Sequence, residues 1–242
     1  MLQVEHVAWN LPGGTGIIHD ISLTAQEGKL IVVTGPNGGG KTTLAKLIAG
    51  LKRPASGRIL FQGADITDLD VTERARRGIA YAFQQPVRFK GLTVRDLLEI
   101  ASGSALDEDG LCDLLGKVGL CASEYMEREL DASLSGGEIK RIEIASVLAR
   151  RAPLSIFDEP EAGIDLWSFT RLVETFEDLR AQHRGTLLVI SHQERILEIA
   201  DEIIVVADGR VRQAGPRQLI LPLLLADESA PRCPLRKEDA EV

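Results

Sequence analysis

The sequence predicts an α/β fold in which a mostly parallel sheet is covered by helices. From residue 135 onward, helix-like and strand-like segments alternate, which is typical of parallel sheets with helices on both faces. Between residues 30 and 51, an apolar run, a glycine-rich loop and a segment of helical periodicity follow one another. The 242 residues, 44% of them hydrophobic, are enough for one globular domain with a subdomain.

The first third of the chain contains short strand-like runs separated by Gly and Pro. These predicted strands are "LQVEHV", "GIIHDISLTA", "LIVVT", "GRILFQG" and "GIAYAF". After the glycine-rich loop, the apolar spacing i, i+3, i+4 and i+7 predicts a helix that packs on the sheet, with the residues Leu44, Leu47, Ile48 and Leu51 on its buried stripe.

The middle of the chain, from about residue 86 to residue 135, predicts a helical subdomain. Its helical segments are "TVRDLLEIA" and "DGLCDLLGKVGL", and it contains no convincing strand. The segments that follow are a helix, the strand "LSIF", the helix "IDLWSFTRLVETFEDL", the strand "TLLVI", the helix "QERILEIA" and the strand "EIIVVA". A hairpin turned at Asp208 and Gly209 comes next. We expect one domain over residues 1–226 and a flexible tail over 227–242.

Composition excludes several functional classes. The 28 basic and 36 acidic side chains give a net charge of −8, which argues against a nucleic-acid partner. Cys112, Cys121 and Cys233 are scattered, so neither a disulfide framework nor a zinc site is indicated, and a cytoplasmic location is expected. The longest apolar stretch, "LILPLLLA", is too short to span a bilayer.

The loop "GPNGGGKTT" predicts a site for nucleotide phosphates. It matches G-x-x-x-x-G-K-[ST] and lies between a strand and a helix, as that motif requires. Backbone N–H groups and the helix N-terminus attract phosphate, the lysine reaches the β- and γ-phosphates, and the first threonine offers a hydroxyl to Mg²⁺. A glycine-rich turn with a solvated lysine is the alternative. The predicted site comprises Gly35, Pro36, Asn37, Gly38, Gly39, Gly40, Lys41, Thr42 and Thr43.

Two adjacent carboxylates follow a later predicted strand. Asp158 and Glu159 end "LSIFDE", on a strand that we expect to lie beside the glycine loop. Neighbouring carboxylates at the end of a buried strand are costly to desolvate unless they serve a cation and a reaction. Asp158 is therefore predicted to hold Mg²⁺, and a pair that caps a helix is the alternative.

The stretch "SLSGGE" lies shortly before that strand. Ser135 and Glu138 form a capping box, which would begin a helix in any protein. Capping does not explain why Gly136 and Gly137 are glycines. Glycines here would expose the N–H groups at the helix end, and those groups could bind a phosphate. Together with the glycine loop, this stretch resembles the signature sequence of ATP-binding cassette (ABC) ATPases.

The resemblance covers about residues 1 to 215 and implies a fold. It implies a P-loop NTPase core of the ABC type, with an N-terminal antiparallel β subdomain and an inserted helical subdomain. It also implies roles for Gln84 as the sensor of γ-phosphate and metal, with Gln85 as the alternative, and for His192 as the switch histidine. Asp165 resembles the aspartate that crosses to the partner subunit, and it could also cap the next helix. Trp9 resembles the aromatic residue that stacks on adenine, with a core position as the alternative.

In this family two cassettes pair head to tail, and each ATP lies between the glycine loop of one subunit and the signature of the other. The resemblance therefore implies a homodimer in the ATP-bound state. Mg²⁺ would be held by Thr42, Gln84 and Asp158, and Glu159 would polarise the attacking water. Lys41, His192 and the opposing Ser135 would hold the transferring phosphoryl group.

Three functions remain open at this point. The run "SGGEIKRIEIAS", Gly163 and the spacing of "FQQPVRFKGLTV" resemble the ATPase of SUF iron–sulfur cluster assembly, whose partner is a soluble scaffold protein. Pro160 in "DEP" is closer to ATP-binding subunits of membrane transporters, whose partner is a permease, and only that function would place the chain at a membrane. A non-hydrolysing regulator is the third alternative. We expect the partner to bind at Phe89, between Arg88 and Lys90.

Overall fold

The computed structural model describes residues 1–85, 87–183 and 185–228. In chain order its strands are β1 (Leu2–Asn10), β2 (Gly16–Ala25), β3 (Leu30–Thr34), β4 (Ser56–Phe61), β5 (Ala64–Asp65), β6 (Ile79–Ala82), β7 (Phe89–Thr93), β8 (Glu129–Leu130), β9 (Leu154–Asp158), β10 (Thr186–Ile190), β11 (Glu202–Ala207) and β12 (Arg210–Pro216). Its helices are α1 (Lys41–Ile48), α2 (Val71–Arg76), α3 (Val94–Ser102), α4 (Glu108–Lys117), α5 (Ala122–Tyr125), α6 (Gly136–Ala149), α7 (Leu166–Ala181), α8 (Glu194–Glu198) and α9 (Arg217–Glu228).

Ten of these strands form one sheet, in the order β5-β4-β1-β2-β12-β11-β3-β10-β9-β6. The strands from β11 to β6 are all parallel. Every residue of β3, β9 and β10 is buried, because helices cover both faces of this half of the sheet. The predicted parallel sheet with flanking helices is confirmed.

The other half of the sheet is largely antiparallel. Strands β1, β2, β4 and β5 pair antiparallel with one another, and β12 returns antiparallel along β11. The predicted hairpin is confirmed: Asp208 and Gly209 connect β11 to β12 with φ of 49° and 64°, the left-handed values that a type I′ turn requires. Strand β5 and helix α2 were not predicted from the sequence.

The middle segment corrects one expectation. It contains the predicted helices α3 and α4, but it also contains a two-stranded antiparallel ribbon of β7 and β8. The paired positions are Phe89 with Leu130 and Thr93 with Glu129, with an irregularity between them. Lys90 and Gly91 interrupt β7 with poor strand formers, so the local sequence gives no strand signal. Pro86, where the subdomain was predicted to begin, lies outside the described residues.

Two apolar clusters lie on opposite faces of the sheet. One contains the buried residues of α1, and the other contains those of α3, α4, α6 and α7. The predicted stripe of α1 is buried at Leu44, Leu47 and Ile48, while Leu51 lies beyond the helix end and is half-buried.

At the C-terminal end, helix α9 contains Pro222 and extends to Glu228. Residues 229–242 of the predicted tail, including Cys233, lie outside the described residues. Cys112 and Cys121 are exposed thiols. Within the described ranges, no helix has the length and apolarity needed to cross a bilayer.

Candidate functional site

The glycine loop between β3 and α1 requires glycine for steric reasons. Gly35 has φ of 130°, and a Cβ there would lie 2.2 Å from the carbonyl oxygen of Val206. Gly40 has φ of 106°, and its Cβ would lie 2.7 Å from Ile18 Cδ1. The backbone therefore curls against β11 and β2 in a conformation that other residues rarely adopt. Pro36, Asn37 and Gly38 are exposed at the tip, whereas Gly39 and Gly40 are buried.

Lys41 folds back over this loop. Its ammonium group donates hydrogen bonds to the carbonyl oxygens of Gly35 at 2.6 Å and Pro36 at 3.0 Å. The side chain is buried, and burial lowers the pKa of Lys41 below its usual range, while the Glu159 and Asp158 carboxylates act in the opposite direction. An ammonium group held only by carbonyl oxygens can exchange them for phosphate oxygens, which are stronger acceptors because they are charged.

Asp158 meets the loop at the edge of the sheet. Thr42 Oγ1 donates to Asp158 Oδ1 at 2.9 Å, and the carboxylate belongs to a fully buried residue. The strand that carries Asp158 therefore lies beside the loop, as expected, although β10 separates β9 from β3 in the sheet. The contact still forms because the carboxyl ends of parallel strands share one edge of the sheet. Thr43 follows, half-buried, in the first turn of α1.

Gln84 and Glu159 lie together beside that carboxylate. Gln84 Nε2 donates to Glu159 Oε2 at 2.6 Å, so the structure joins Glu159 to Gln84, the first of the two candidate glutamines. Glu159 has φ of 48° and donates its backbone N–H to the carbonyl oxygen of Ile190 at 3.0 Å. Its side chain is half-buried, and Gln84 is exposed, so solvent reaches the pair.

His192 is exposed two residues after β10. Because β10 lies between β3 and β9, His192 leaves the sheet between the glycine loop and the two carboxylates. Its neighbour Ser191 donates to Glu161 Oε1 at 2.6 Å. Burial raises the pKa of Glu161, and His192 is among the groups that lower it. His192 is thus placed at the site, in contact with solvent.

The signature stretch opens α6 as predicted. Ser135 accepts from the backbone N–H of Glu138 at 3.2 Å, and Glu138 accepts from the backbone N–H of Ser135 at 2.7 Å. Glu138 also accepts from the Tyr125 hydroxyl at 2.5 Å. These hydrogen bonds, that of Tyr125 first, lower the pKa of Glu138 to about 2. The predicted capping box is therefore confirmed, and its Glu138 carboxylate is ionised at neutral pH.

The two glycines of the signature have different environments. A Cβ on Gly137 would lie 2.7 Å from the carbonyl oxygen of Gly163, so this glycine allows close packing against the loop before α7. A Cβ on Gly136 would meet nothing within 4 Å. Packing within the chain explains Gly137 and leaves the surface at Gly136 open.

Asp165 caps α7, as its alternative role predicted. Its carboxylate accepts from the backbone N–H groups of Trp167 and Ser168 and from the Ser168 hydroxyl. Arg141 of α6 donates to the same hydroxyl at 2.7 Å. Asp165 and the signature helix are therefore parts of one connected surface.

Trp9 lies on β1, opposite Ile18 of β2, and the Ile18 side chain lies against Gly40 of the glycine loop. The Lys52 ammonium group lies 3.6 Å from the centroid of the indole ring, a cation–π contact. Trp9 is therefore half-buried near the loop, and one face of its ring is covered by Lys52. A nucleotide base could stack on the free face of the ring. To stack on the covered face, it would have to displace Lys52.

Two charged residues of α6 have a role that the sequence analysis missed. Lys140 is buried and donates to the carbonyl oxygens of Phe83, Gln84 and Asp158, at 3.3 Å for Gln84 and 3.4 Å for Asp158. Glu143 accepts from the backbone N–H of Phe83 at 2.8 Å. The signature helix thus holds both sides of the peptide segment that carries Gln84. The signal for this role in the sequence was the position of these two charged residues on the inner side of α6.

Glu143 leads to a prediction about pH. Burial raises the pKa of Glu143 to about 7. The folded protein then binds this proton more tightly than the unfolded chain, so the associated stability is present below pH 4.5 and is lost as pH rises through about 7. Between pH 5 and pH 8, the free energy of unfolding of Glu143→Gln relative to the parent should rise by about 1–3 kcal/mol.

Urea denaturation at the two pH values measures this difference, and Glu174→Gln, at a solvent-exposed position of α7, is the matched control. Parallel pH profiles for the parent and Glu143→Gln would show that Glu143 is already ionised in the folded protein.

The residues fit an Mg²⁺–nucleotide. The glycine loop offers a cradle with open space above Gly38, and Lys41 supplies a cation whose present partners are exchangeable. Among the described residues, no group of three or more His, Cys, Asp or Glu side chains could hold a metal ion. Thr42, Asp158 and Gln84 would supply up to three oxygen ligands to Mg²⁺, and phosphate oxygens and water would complete its coordination.

Comparison with known proteins agrees with this geometry. The ABC transporter family matches residues 18–162. An uncharacterised ABC transporter ATP-binding protein of Methanocaldococcus jannaschii is 39% identical over 84% of this chain and 84% of its own length. The lipopolysaccharide export system ATP-binding protein LptB of Acidithiobacillus ferridurans is 35% identical over 85% of this chain and 86% of its own.

A solved structure of the ATP-binding subunit of an ABC transporter superposes with a TM-score of 0.79. It is 26% identical and covers 95% of this chain and 100% of its own. Together with the family match and the relatives, the sheet order and the loop that joins Lys41, Thr42 and Asp158 lead to one conclusion. The chain belongs to the ABC transporter family, as a cassette that binds and hydrolyses ATP.

Proposed function

We propose that the chain binds Mg-ATP on the glycine loop and hydrolyses it with Glu159 as the base. The observation that carries this proposal is the geometry at the sheet edge. Thr42 and Asp158 are joined at 2.9 Å, and Gln84 and Glu159 are joined at 2.6 Å beside them. One pair offers a hydroxyl and a carboxylate to a cation, and the other offers a carboxylate and an amide to a water molecule.

Each residue then has a distinct task. Lys41 exchanges the carbonyl oxygens of Gly35 and Pro36 for phosphate oxygens, and the N–H groups of the loop and of Thr42 and Thr43 bind the remaining oxygens. Glu159 Oε2, now paired with Gln84, accepts the proton of the attacking water. His192 donates to the terminal phosphate from the end of β10. When bound, Mg²⁺ would neutralise part of the negative charge that develops on the phosphate oxygens.

We further propose that a second copy of the chain completes the site. Gly136 and the first N–H groups of α6 form an open surface at the start of a 14-residue helix, where the helix dipole favours anions. Ser135 and Gly136 of one copy would cover the nucleotide on the loop of the other. Asp165, joined to α6 through Ser168 and Arg141, lies on the same surface.

The protein that this ATPase drives is proposed to be a membrane permease. The relatives that support this assignment are described as ABC transporter ATP-binding proteins, including the lipopolysaccharide export protein. The ribbon of β7 and β8 offers a docking surface for the permease, with Phe89 and Val87 exposed over 40% and 45% of their areas. Arg88 is exposed and donates to the carbonyl oxygen of Asp131 at 2.6 Å. Of the two cations expected to flank Phe89, Lys90 is therefore the one that we propose contacts the partner.

The soluble SUF-type scaffold is the second candidate. The residues that favour it are Lys140 and Glu143, which the sequence analysis linked to the SUF ATPase. They tie α6 directly to the segment carrying Gln84. None of the relatives described above carries a name that refers to iron–sulfur clusters, so this candidate rests on the resemblance of α6, Gly163 and the segment "FQQPVRFKGLTV".

Purification of the tagged chain from its native host separates the two candidates. A permease partner predicts recovery in the membrane fraction with an integral membrane protein, and Phe89→Ala should reduce this recovery about tenfold, as expected for an aromatic anchor. Ile100→Ala, an equally apolar change at a position that is 66% exposed on α3, is the matched control. Recovery in a complex that contains only soluble proteins would contradict the transporter assignment and favour the scaffold.

A further inference from the structure

The carboxylate of Asp158 is held on both of its oxygens. Thr42 Oγ1 donates to Oδ1 at 2.9 Å, and the Tyr81 hydroxyl donates to Oδ2 at 2.7 Å. Asp158 has no exposed surface. These two donors, one on each oxygen, fix the orientation of a carboxylate that solvent does not reach.

The pleat of the sheet explains why Tyr81 reaches this carboxylate. Strands β6 and β9 are parallel, and Tyr81 is paired with Ile156. Side chains alternate along a strand, so Ile156 and Asp158 point to the same face of the sheet, and Tyr81 shares it. This is the face that α1 covers. Tyr81 thus approaches from the edge strand, on the side of Asp158 away from the glycine loop.

The ring of Tyr81 is fixed by its surroundings. It makes an edge contact with Phe83, with ring centroids 5.0 Å apart, and it lines an apolar pocket together with Phe89 and Glu143. Burial and the Asp158 carboxylate raise the pKa of Tyr81 above its usual range. These contacts hold the ring in place, with its hydroxyl group on Asp158 Oδ2.

We propose that Tyr81 is a positioning residue that orients the Asp158 carboxylate for Mg²⁺. This inference rests on the proposed role of Asp158 as the magnesium ligand. With Oδ2 bound to Tyr81 and Oδ1 directed to Thr42, the carboxylate presents its free lone pairs to a cation lying between Thr42 and Gln84. Without the hydroxyl, Oδ2 loses this donor, and the carboxylate is free to rotate out of this orientation.

The test compares nucleotide binding with and without Mg²⁺. The probe is AMP-PNP, a non-hydrolysable ATP analogue, and its affinity is measured by calorimetry in Mg²⁺ and in EDTA. Tyr81→Phe keeps the ring and removes only the hydroxyl. Since a hydrogen bond to a charged group is involved, we expect the ratio of the two affinities to fall about tenfold. The affinity in EDTA should stay within about twofold of the parent.

A double-mutant cycle excludes a merely structural role. Asp158→Asn should lower the same ratio, and adding Tyr81→Phe to it should have no further effect, because the two residues act through one carboxylate. Additive losses, an unchanged ratio in Tyr81→Phe, or equal losses in Mg²⁺ and EDTA would each overturn the inference.

The cycle also separates this inference from the function on which it rests. If Asp158→Asn lowers the ratio and Tyr81→Phe does not, only the role of Tyr81 is wrong. If Asp158→Asn leaves the ratio unchanged, the assignment of Asp158 as the magnesium ligand fails, and the role of Tyr81 fails with it. The unfolding temperature of each variant checks that the sheet edge is intact.

Discussion

Lys41→Ala is expected to weaken the binding of Mg-ATP by about a hundredfold, since it removes a charge-assisted contact to the phosphates. The ammonium group is enclosed by the carbonyl oxygens of Gly35 and Pro36, so it is already positioned over the loop before nucleotide binds. Its removal also takes the ammonium donor from both carbonyl oxygens, and Pro36 then keeps the backbone N–H of Gly39 at 3.1 Å.

Calorimetric titration with Mg-ATP measures this effect. Lys117→Ala, which removes a lysine of α4 whose partner is Asp113, controls for the general change in charge and should bind as the parent does. If Lys41→Ala binds Mg-ATP as tightly as the parent, the glycine loop is not the phosphate site.

Glu159→Gln is expected to retain ATP binding and to lower the rate of hydrolysis about a hundredfold or more, because the amide cannot accept a proton from water. The amide preserves the shape of the side chain, and its own oxygen can accept the hydrogen bond that Gln84 now donates to Oε2. Substrate binding and the local fold should therefore persist.

Phosphate release under saturating Mg-ATP measures the turnover of this variant. Glu174→Gln, at its exposed position on α7, removes one carboxylate away from the site and should hydrolyse at the parent rate. Undiminished hydrolysis by Glu159→Gln would remove Glu159 from the role of base and make Glu161, which accepts from Ser191 next to His192, the next carboxylate to test.

The features that could be predicted from sequence are those with local signals. The glycine loop is defined by nine consecutive residues between a strand and a helix, and its steric demands at Gly35 and Gly40 follow from that connection. The buried strands β3, β9 and β10 are largely apolar runs of five residues. The Ser135 and Glu138 capping box depends on a spacing of three residues. Each of these features lies within one short segment.

The features that escaped prediction depend on contacts between distant segments. The ribbon of β7 and β8 joins Phe89 to Leu130 across the whole subdomain. Lys140 and Glu143 show their role only once α6 packs beside the segment that carries Phe83. Periodicity identifies that α6 is a helix, but it does not show which buried charges will meet a backbone group of another element.

The same limit applies at the catalytic edge of the sheet. Asp158 contacts the loop, beside which its strand was expected to lie, because parallel strands have their carboxyl ends at one edge of the sheet. The sequence did not predict that β10 would lie between β3 and β9. The bond from Tyr81 to Asp158 requires the register of β6 against β9. The contact of Lys52 with Trp9 joins residues of two elements in the same way.

The central claim is that ATP is held between the glycine loop of one copy and the signature of another. Two glycines of the chain make a matched pair for testing it. Gly136 of α6 and Gly116 of α4 are both helical, and a Cβ on either would meet nothing within 4 Å. Arginine at either position should therefore leave the single chain folded. Only arginine at Gly136 would project from the surface that we propose covers the nucleotide of the other copy.

The most direct measurement is the mass of Glu159→Gln in solution, determined by light scattering with Mg-ATP. The account predicts a species of twice the mass of one chain, which forms only with nucleotide because hydrolysis no longer releases it. Adding Gly116→Arg should leave this dimer intact, and adding Gly136→Arg should return the protein to single chains. A Glu159→Gln protein that stays a single chain in Mg-ATP, or a dimer that persists with Gly136→Arg, would contradict the claim.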